Sequence, residues 1–129
     1  GDLLKAVFSF STKHVSIEKN IDIPSLHPRT AVPIGLIINE IATNAIKHGF
    51  TENNESRFSV DLKKDTQHSS FILTLSNNGK PFPEDIELDN PETLGFRLIT
   101  ALVSQLHGTI EIKRKPHPVF TIRFPVQSD

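Results

Sequence analysis

The chain has 129 residues with 36% hydrophobic side chains, enough for one domain around a single ordinary core. Its formal net charge is −1, and Lys113, Arg114 and Lys115 make the only basic run. That argues against nucleic acid as the main partner, because phosphate neutralisation needs a concentrated basic face. There is no cysteine, which excludes a disulfide framework, no apolar run long enough to cross a membrane and no signal-peptide pattern at the start; these are compatible with the expectation of a cytoplasmic domain that makes no membrane contact of its own.

Asp2–Phe10 carries Leu3, Leu4, Val7 and Phe8 at helical spacing. Val15–Ile21 alternates apolar and polar residues, the mark of a strand. Pro24, Pro28 and Pro33 predict a loop. Val32–Lys47 is the strongest helix, with Ile34, Ile37, Ile38, Ile41 and Ala45 as its buried stripe, Asn39 and Asn44 on other sides, and Gly49 as its stop. Strands are predicted over Ser56–Lys64 and Ser69–Ser76, the second dense enough to be central. An acidic, proline-containing loop, Lys80–Glu92, follows. A second helix, Thr93–His107, is expected to bury Leu98, Ile99, Leu102 and Leu106 and to be capped by Gly108. Thr109–Lys113 and Val119–Phe124 form a final hairpin. The pattern predicts an α+β, two-layer sandwich: a mixed, mostly antiparallel sheet of about five strands with about three helices on one face.

Three segments carry possible chemistry. Glu40, Asn44 and Lys47 are spaced four and three apart and share an arc of roughly 60° on the long helix, with His48 at its edge. Such a stripe is either the solvated face of an amphipathic helix or a place to hold a metal-bound phosphate chain, since asparagine offers Mg²⁺ a neutral oxygen and lysine offers phosphate a point charge. Helical spacing alone favours the first reading; two asparagines inside a strong helix pull toward the second, because asparagine is a poor residue there. Asn77-Asn78-Gly79 follows a strand and is either a hairpin turn or the mouth of a binding loop; a long loop, not a strand, comes after it. Thr93-Leu94-Gly95-Phe96 opens a helix, where free N–H groups attract phosphate and glycine permits close approach; a plain loop-to-helix junction is the other reading. The remaining histidines, His14, His27, His68, His107 and His117, show no paired metal-ligand spacing and are expected to be surface or capping residues.

In order and spacing these segments resemble the ATPase superfamily of gyrase, heat-shock chaperone, histidine kinase and mismatch-repair proteins, and within it the sensor histidine kinases with divergent phosphoacceptor helices. The resemblance is carried by Pro33-Ile-Gly-Leu-Ile-Ile-Asn-Glu-Ile-Ala-Thr-Asn-Ala-Ile-Lys-His-Gly-Phe50, which matches that group's asparagine box, and by Leu94-Gly-Phe-Arg-Leu-Ile-Thr-Ala-Leu-Val-Ser-Gln-Leu-His-Gly108, which matches its second glycine box and helix. It implies that residues 1–129 are one ATP-binding catalytic domain of the Bergerat type, cut from a longer kinase whose phosphoacceptor histidine lies upstream. It implies Asn44 as the Mg²⁺ ligand and Glu40 as the catalytic acid one turn earlier. It implies Lys47 and His48 at phosphate or ribose, Asn77 and Gly79 in the first glycine box, and Leu94 and Gly95 as N–H donors to phosphate. ATP and Mg²⁺ are the implied cofactors. The implied reaction is γ-phosphoryl transfer to a histidine in two-component signalling, with a response regulator receiver domain as the next partner and a homodimeric parent. Without its acceptor helix the chain is not expected to phosphorylate itself.

The chain departs from that pattern on the base side. Asn77 stands where the family has an aspartate that accepts from the adenine amino group, Pro81 replaces a glycine, and His117-Pro118 stands where a hydroxyl usually helps to bind adenine; Thr93 replaces the first glycine of the second box, a change that the group itself tolerates. Two other functions stay open: a partner-binding module with weak or no ATP binding, which the changes at Asn77, Pro81 and Pro118 support, and an anti-sigma-type serine kinase, which is a short domain of the same superfamily.

Overall fold

The computed structural model describes residues 15–22, 26–49, 55–82 and 94–126. The expected helix at Asp2–Phe10 and most of the Lys80–Glu92 loop lie outside these residues.

Five strands form one sheet in the order β1-β2-β3-β5-β4. They are β1 (Val15–Asp22), β2 (Ser56–Asp65), β3 (Ser70–Asn77), β4 (Thr109–Lys113) and β5 (Val119–Pro125). Among the described residues only β1 and β2 pair in parallel, with Val15 opposite Ser56 and Asp22 opposite Lys63. The other pairings are antiparallel: Phe58 faces Asn77 across β2–β3, Leu73 faces Ile122 across β3–β5, and Thr109 faces Arg123 across β4–β5. The mixed sheet follows from sequence, because a parallel neighbour needs a long crossover, and the helix between β1 and β2 supplies it.

That helix, α1 (Pro28–Asn44), begins one turn earlier than the Val32 start expected from its prolines. Pro28 sits at the first helical position, where the missing N–H costs nothing, and the extended His27 is the cap, its Nδ1 accepting from the Arg29 N–H at 3.1 Å. Pro33 forfeits one backbone bond in the second turn but places its ring in the buried stripe with Thr30, Ile34, Ile37, Ile41 and Ala42. The 3.6-residue period of these positions is what turns one face onto the sheet. The last turn widens into a π-turn, Ala45–Gly49.

The second helix, α2 (Leu94–Gln105), buries Phe96, Ile99, Leu102 and Val103, with Leu106 just beyond its end. Leu98, expected in the core, is 41% exposed, because Phe96, Ile99 and Val103 lie on the sheet side and Leu98 falls on the flank between turns. The cap also differs from expectation. His107, not Gly108, takes the left-handed conformation (φ 59°). Its N–H donates to Ser104 O and the Gly108 N–H donates to Val103 O, both at 2.9 Å, which is the Schellman pairing that closes a helix. Gly108 is needed for another reason: a Cβ there would lie 2.5 Å from the Arg123 carbonyl oxygen on β5.

The core lies between the helices and one sheet face. Phe58, Val60 and Leu62 of β2 alternate with more exposed neighbours, as do Phe71, Leu73 and Leu75 of β3 and Phe120, Ile122 and Phe124 of β5. Phe71 and Phe124, paired in register, bring their rings to 5.3 Å. The fold is thus the α+β sandwich with a five-stranded mixed sheet, with two α-helices among the described residues.

Candidate functional site

Connectivity brings three chain segments to one end of the sheet. The chain leaves β1 at Asp22, at the far end, and α1 starts six residues later. Seventeen residues of helix span about 25 Å, the length of an eight-residue strand, so α1 returns to the end where β2 begins at Ser56. It delivers Asn44 and the π-turn there. Asn77 finishes β3 at that same end, being paired with Phe58. β4 runs parallel to β3 with Thr109 at the far end, so α2 must start at the near end, and Leu94 and Gly95 open it there. Pro118 precedes β5, which starts at the near end.

The residues on this end differ in their setting. On α1, Glu40 and Asn44 are half-buried, while Lys47 in the π-turn is exposed. The π-turn also contains His48. Single π-turns inside helices recur at functional sites, because the extra residue re-aims the side chains and loosens the backbone bonds of one turn. The sequence alone gave no signal for it: the 3.6-residue pattern runs on through Ala45.

Asn77-Asn78-Gly79 is not a hairpin turn but a tightly tied bend. Asn77 is 8% exposed, and its Oδ1 accepts from the Gly79 N–H at 2.8 Å. This is an Asx-turn, in which a side-chain oxygen replaces a backbone carbonyl. The Asn77 N–H donates to Pro118 O at 3.3 Å. Asn78 Oδ1 accepts from the Arg57 N–H at 2.7 Å, and the Asn78 amide nitrogen donates to Glu55 O. His117, expected to be a surface or capping residue, is exposed as a residue, and its Nδ1 lies 2.7 Å from the Gly79 carbonyl oxygen. A carbonyl only accepts, so the imidazole carries its proton on Nδ1 in this contact. His117-Pro118 therefore offers the bend two backbone and side-chain tethers where the family pattern has a hydroxyl. No sequence period could have revealed them, since the partners are 38 and 41 residues apart.

An aromatic cluster joins the bend to α2. Phe82 meets Phe96 edge-on with ring centroids 5.2 Å apart and Phe120 edge-on at 5.6 Å. The Arg114 guanidinium carbon lies 5.2 Å from the Phe82 ring centre, and the Phe82 N–H donates to Arg114 O at 2.9 Å. Edge-to-face pairs place the positive ring edge on the negative face of the neighbour, and a cation over the ring adds to the attraction. The effect is to fix the residue just before the 83–93 segment to one in the first turn of α2.

Among the described residues no three His, Cys, Asp or Glu side chains gather to hold a metal. A neutral amide oxygen such as that of Asn44, half-buried on α1, is a donor of the kind a hard cation takes. Mg²⁺ keeps several waters and takes substrate oxygens, so it needs no protein cage. A separate cavity of about 560 Å³ opens at the far end, between Pro28, Val32 and Leu36 of α1 and Leu102, Gln105 and Leu106 at the end of α2. Six of its eight lining residues are apolar, Arg29 and Gln105 being the others, and its α1 lining, Pro28 to Leu36, lies about 12–24 Å along the helix axis from Asn44.

Residues 30–128 match the family described as histidine kinase-, DNA gyrase B-, and HSP90-like ATPase. Blue-light-activated histidine kinase 2 of Erythrobacter litoralis (strain HTCC2594) is 30% identical over 95 residues, covering 73% of this chain and 26% of that protein. Blue-light-activated histidine kinase 1 of the same organism is 28% identical over 86 residues, covering 67% and 23%. The chain thus spans about a quarter of the length of these curated relatives. The solved Erythrobacter litoralis EL346 blue-light activated histidine kinase superposes with a TM-score of 0.86 at 23% identity, over 98% of this chain and 40% of that one. The Acinetobacter baumannii histidine kinase AdeS superposes with a TM-score of 0.77 at 18% identity, over 98% and 62%. At these identities the structural likeness establishes the shared fold.

Proposed function

Because the chain belongs to the histidine kinase-, DNA gyrase B-, and HSP90-like ATPase family, as an ATP-binding domain of the histidine kinase type, we propose that it binds a magnesium-bound nucleoside triphosphate and supplies the γ-phosphoryl group to a histidine nitrogen. The acceptor histidine would lie on the phosphoacceptor helix of a longer, homodimeric kinase, and a response regulator receiver domain would take the phosphoryl group next. The cytoplasm is the compartment proposed. The observation that carries this reading is the convergence, at one end of the sheet, of the widened end of α1, the tied bend at Gly79 and the start of α2.

Each segment has a distinct task in this reading. Lys47 is exposed and charged, so it can meet phosphate oxygens without losing a buried partner. The N–H groups of the first turn of α2, Leu94 and Gly95 among them, would add donors for the same oxygens. Asn44 would hold Mg²⁺, which when bound neutralises charge on the transferring phosphoryl group. Glu40, one turn earlier, would orient or deprotonate the acceptor imidazole. His48 would lie at phosphate or ribose, and Asn77 with Gly79 would face the base. Catalysis in such a site is positioning and charge neutralisation.

The test is calorimetric titration of the chain with ATP, with and without Mg²⁺, repeated with Asn44→Ala. The reading expects Mg²⁺-dependent binding that the substitution abolishes while thermal unfolding stays cooperative. Undiminished Mg²⁺ dependence in the variant would remove Asn44 from the metal role. Absence of any triphosphate binding would overturn the reading. A second experiment incubates the chain with labelled ATP. No acid-labile label should appear on it until the phosphoacceptor helix is supplied in trans, and label on the chain alone would show the acceptor to be misplaced.

A further inference from the structure

We propose that Asn77 presents an amide donor, not an acceptor, to the bound base, so that this site prefers a purine with a carbonyl at position 6 to one with an amino group there. The proposal rests on the reading above, in which Asn77 faces the base, and adds which class of base it selects.

The argument starts from the Gly79 N–H. It lies 2.8 Å from the Asn77 side chain and can only donate, so the atom facing it is the amide oxygen. The two ends of an amide point apart. With Oδ1 folded back onto the bend, Nδ2 is directed away from it. Among the described residues Nδ2 has no hydrogen-bond partner, yet it is not sealed from solvent, although Asn77 as a whole is 8% exposed. A nearly buried asparagine with one end satisfied and the other open is a directed donor waiting for an acceptor.

Turning the amide over would restore an outward oxygen only by setting Nδ2 against the Gly79 N–H, two donors face to face. Gly79 is buried, so its N–H would be left without a partner, and the turned form is disfavoured roughly tenfold or more. The bend cannot swing to compensate. Asn78 is held at Arg57 and Glu55, and the Gly79 carbonyl is held by His117. An aspartate in this place would satisfy Gly79 with one oxygen and still turn a second oxygen outward to accept from an amino group. Asparagine keeps the first contact and inverts the second.

The experiment titrates the 129-residue chain with the Mg²⁺ complexes of ATP and ITP, whose phosphates and ribose are the same, so that their ratio isolates the base. The expected result is ITP binding about tenfold tighter than ATP, with Asn77→Asp reversing the order. Asn77→Asp keeps an acceptor for Gly79 and so tests the idea even if Asn77→Ala fails to fold; where Asn77→Ala folds, its ratio should approach one. ATP binding as tightly as ITP or tighter in the unaltered chain would overturn the proposal. A ratio that is the same in the unaltered chain and in Asn77→Asp would also overturn it, while leaving Mg²⁺–triphosphate binding intact. Failure of both nucleotides to bind would overturn the functional reading and this proposal together.

Discussion

Replacing Gly108 by alanine adds one methyl group at the junction of α2 and β4. The new Cβ would sit 2.5 Å from the Arg123 carbonyl oxygen and 3.1 Å from the Phe124 Cβ. An ordinary carbon–oxygen contact is about 3.3 Å, so the backbone must part by roughly 0.8 Å. Neither side yields easily. Arg123 is in the β4–β5 ladder opposite Thr109, and the Gly108 N–H closes the end of α2 on Val103. Overpacking of this kind costs about 1–3 kcal/mol. For a domain between the sizes usually tabulated, that is a fall in Tm of roughly 4–12 °C. The neighbouring position supplies the opposite sign. His107 holds a left-handed φ of 59° at a cost that glycine lacks, so His107→Gly should raise stability by up to about 1 kcal/mol. The assay is thermal and urea unfolding of both variants. If Gly108→Ala is neutral, or His107→Gly destabilises as much as Gly108→Ala, the account of this helix end is wrong.

Ile37 is fully buried in the α1 stripe, and Ile37→Ala should cost about 2–5 kcal/mol in urea unfolding, whereas Ile37→Val should cost about 0.5–1.5 kcal/mol. Asp65, the last residue of β2, is held below the usual carboxylate range, chiefly by the His68 ring nitrogen 2.7 Å from its Oδ2. A carboxyl depressed by folding stabilises above its ordinary value, and that contribution fades as pH falls through the lowered one. An NMR pH titration should find Asp65 titrating below the ordinary aspartate range, and His68→Ala should move it back up.

The strands and both helices were legible because each buries one face, and burial imposes a period. Ile34, Ile37 and Ile41 announce α1, and Phe71, Leu73 and Leu75 announce β3, for that reason. Where the period stops mattering, the sequence misled. Pro28 and Pro33 suggested a loop, but a proline at a helix start loses nothing, and Pro33 fits the core stripe. Leu98 shares the spacing of core residues without sharing their face. The His117 tether to Gly79 and the orientation of the Asn77 amide depend on contacts between distant segments, which no local pattern encodes. The residue types of the candidate site were legible, through Asn44, Lys47 and Asn77 at motif spacing. Their delivery to one end of the sheet needed the topology.

The central claim is that a metal–triphosphate binds at this end of the sheet and not in the apolar cavity at the other. Backbone NMR shift mapping with Mg²⁺ and a non-hydrolysable triphosphate addresses it directly. The account predicts the largest changes at Asn44, Lys47, Asn77, Gly79, Leu94, Gly95 and His117, with Val32, Leu36, Leu102 and Gln105 unmoved. Changes concentrated on those last four residues, with the Asn77–Gly79 bend silent, would contradict it.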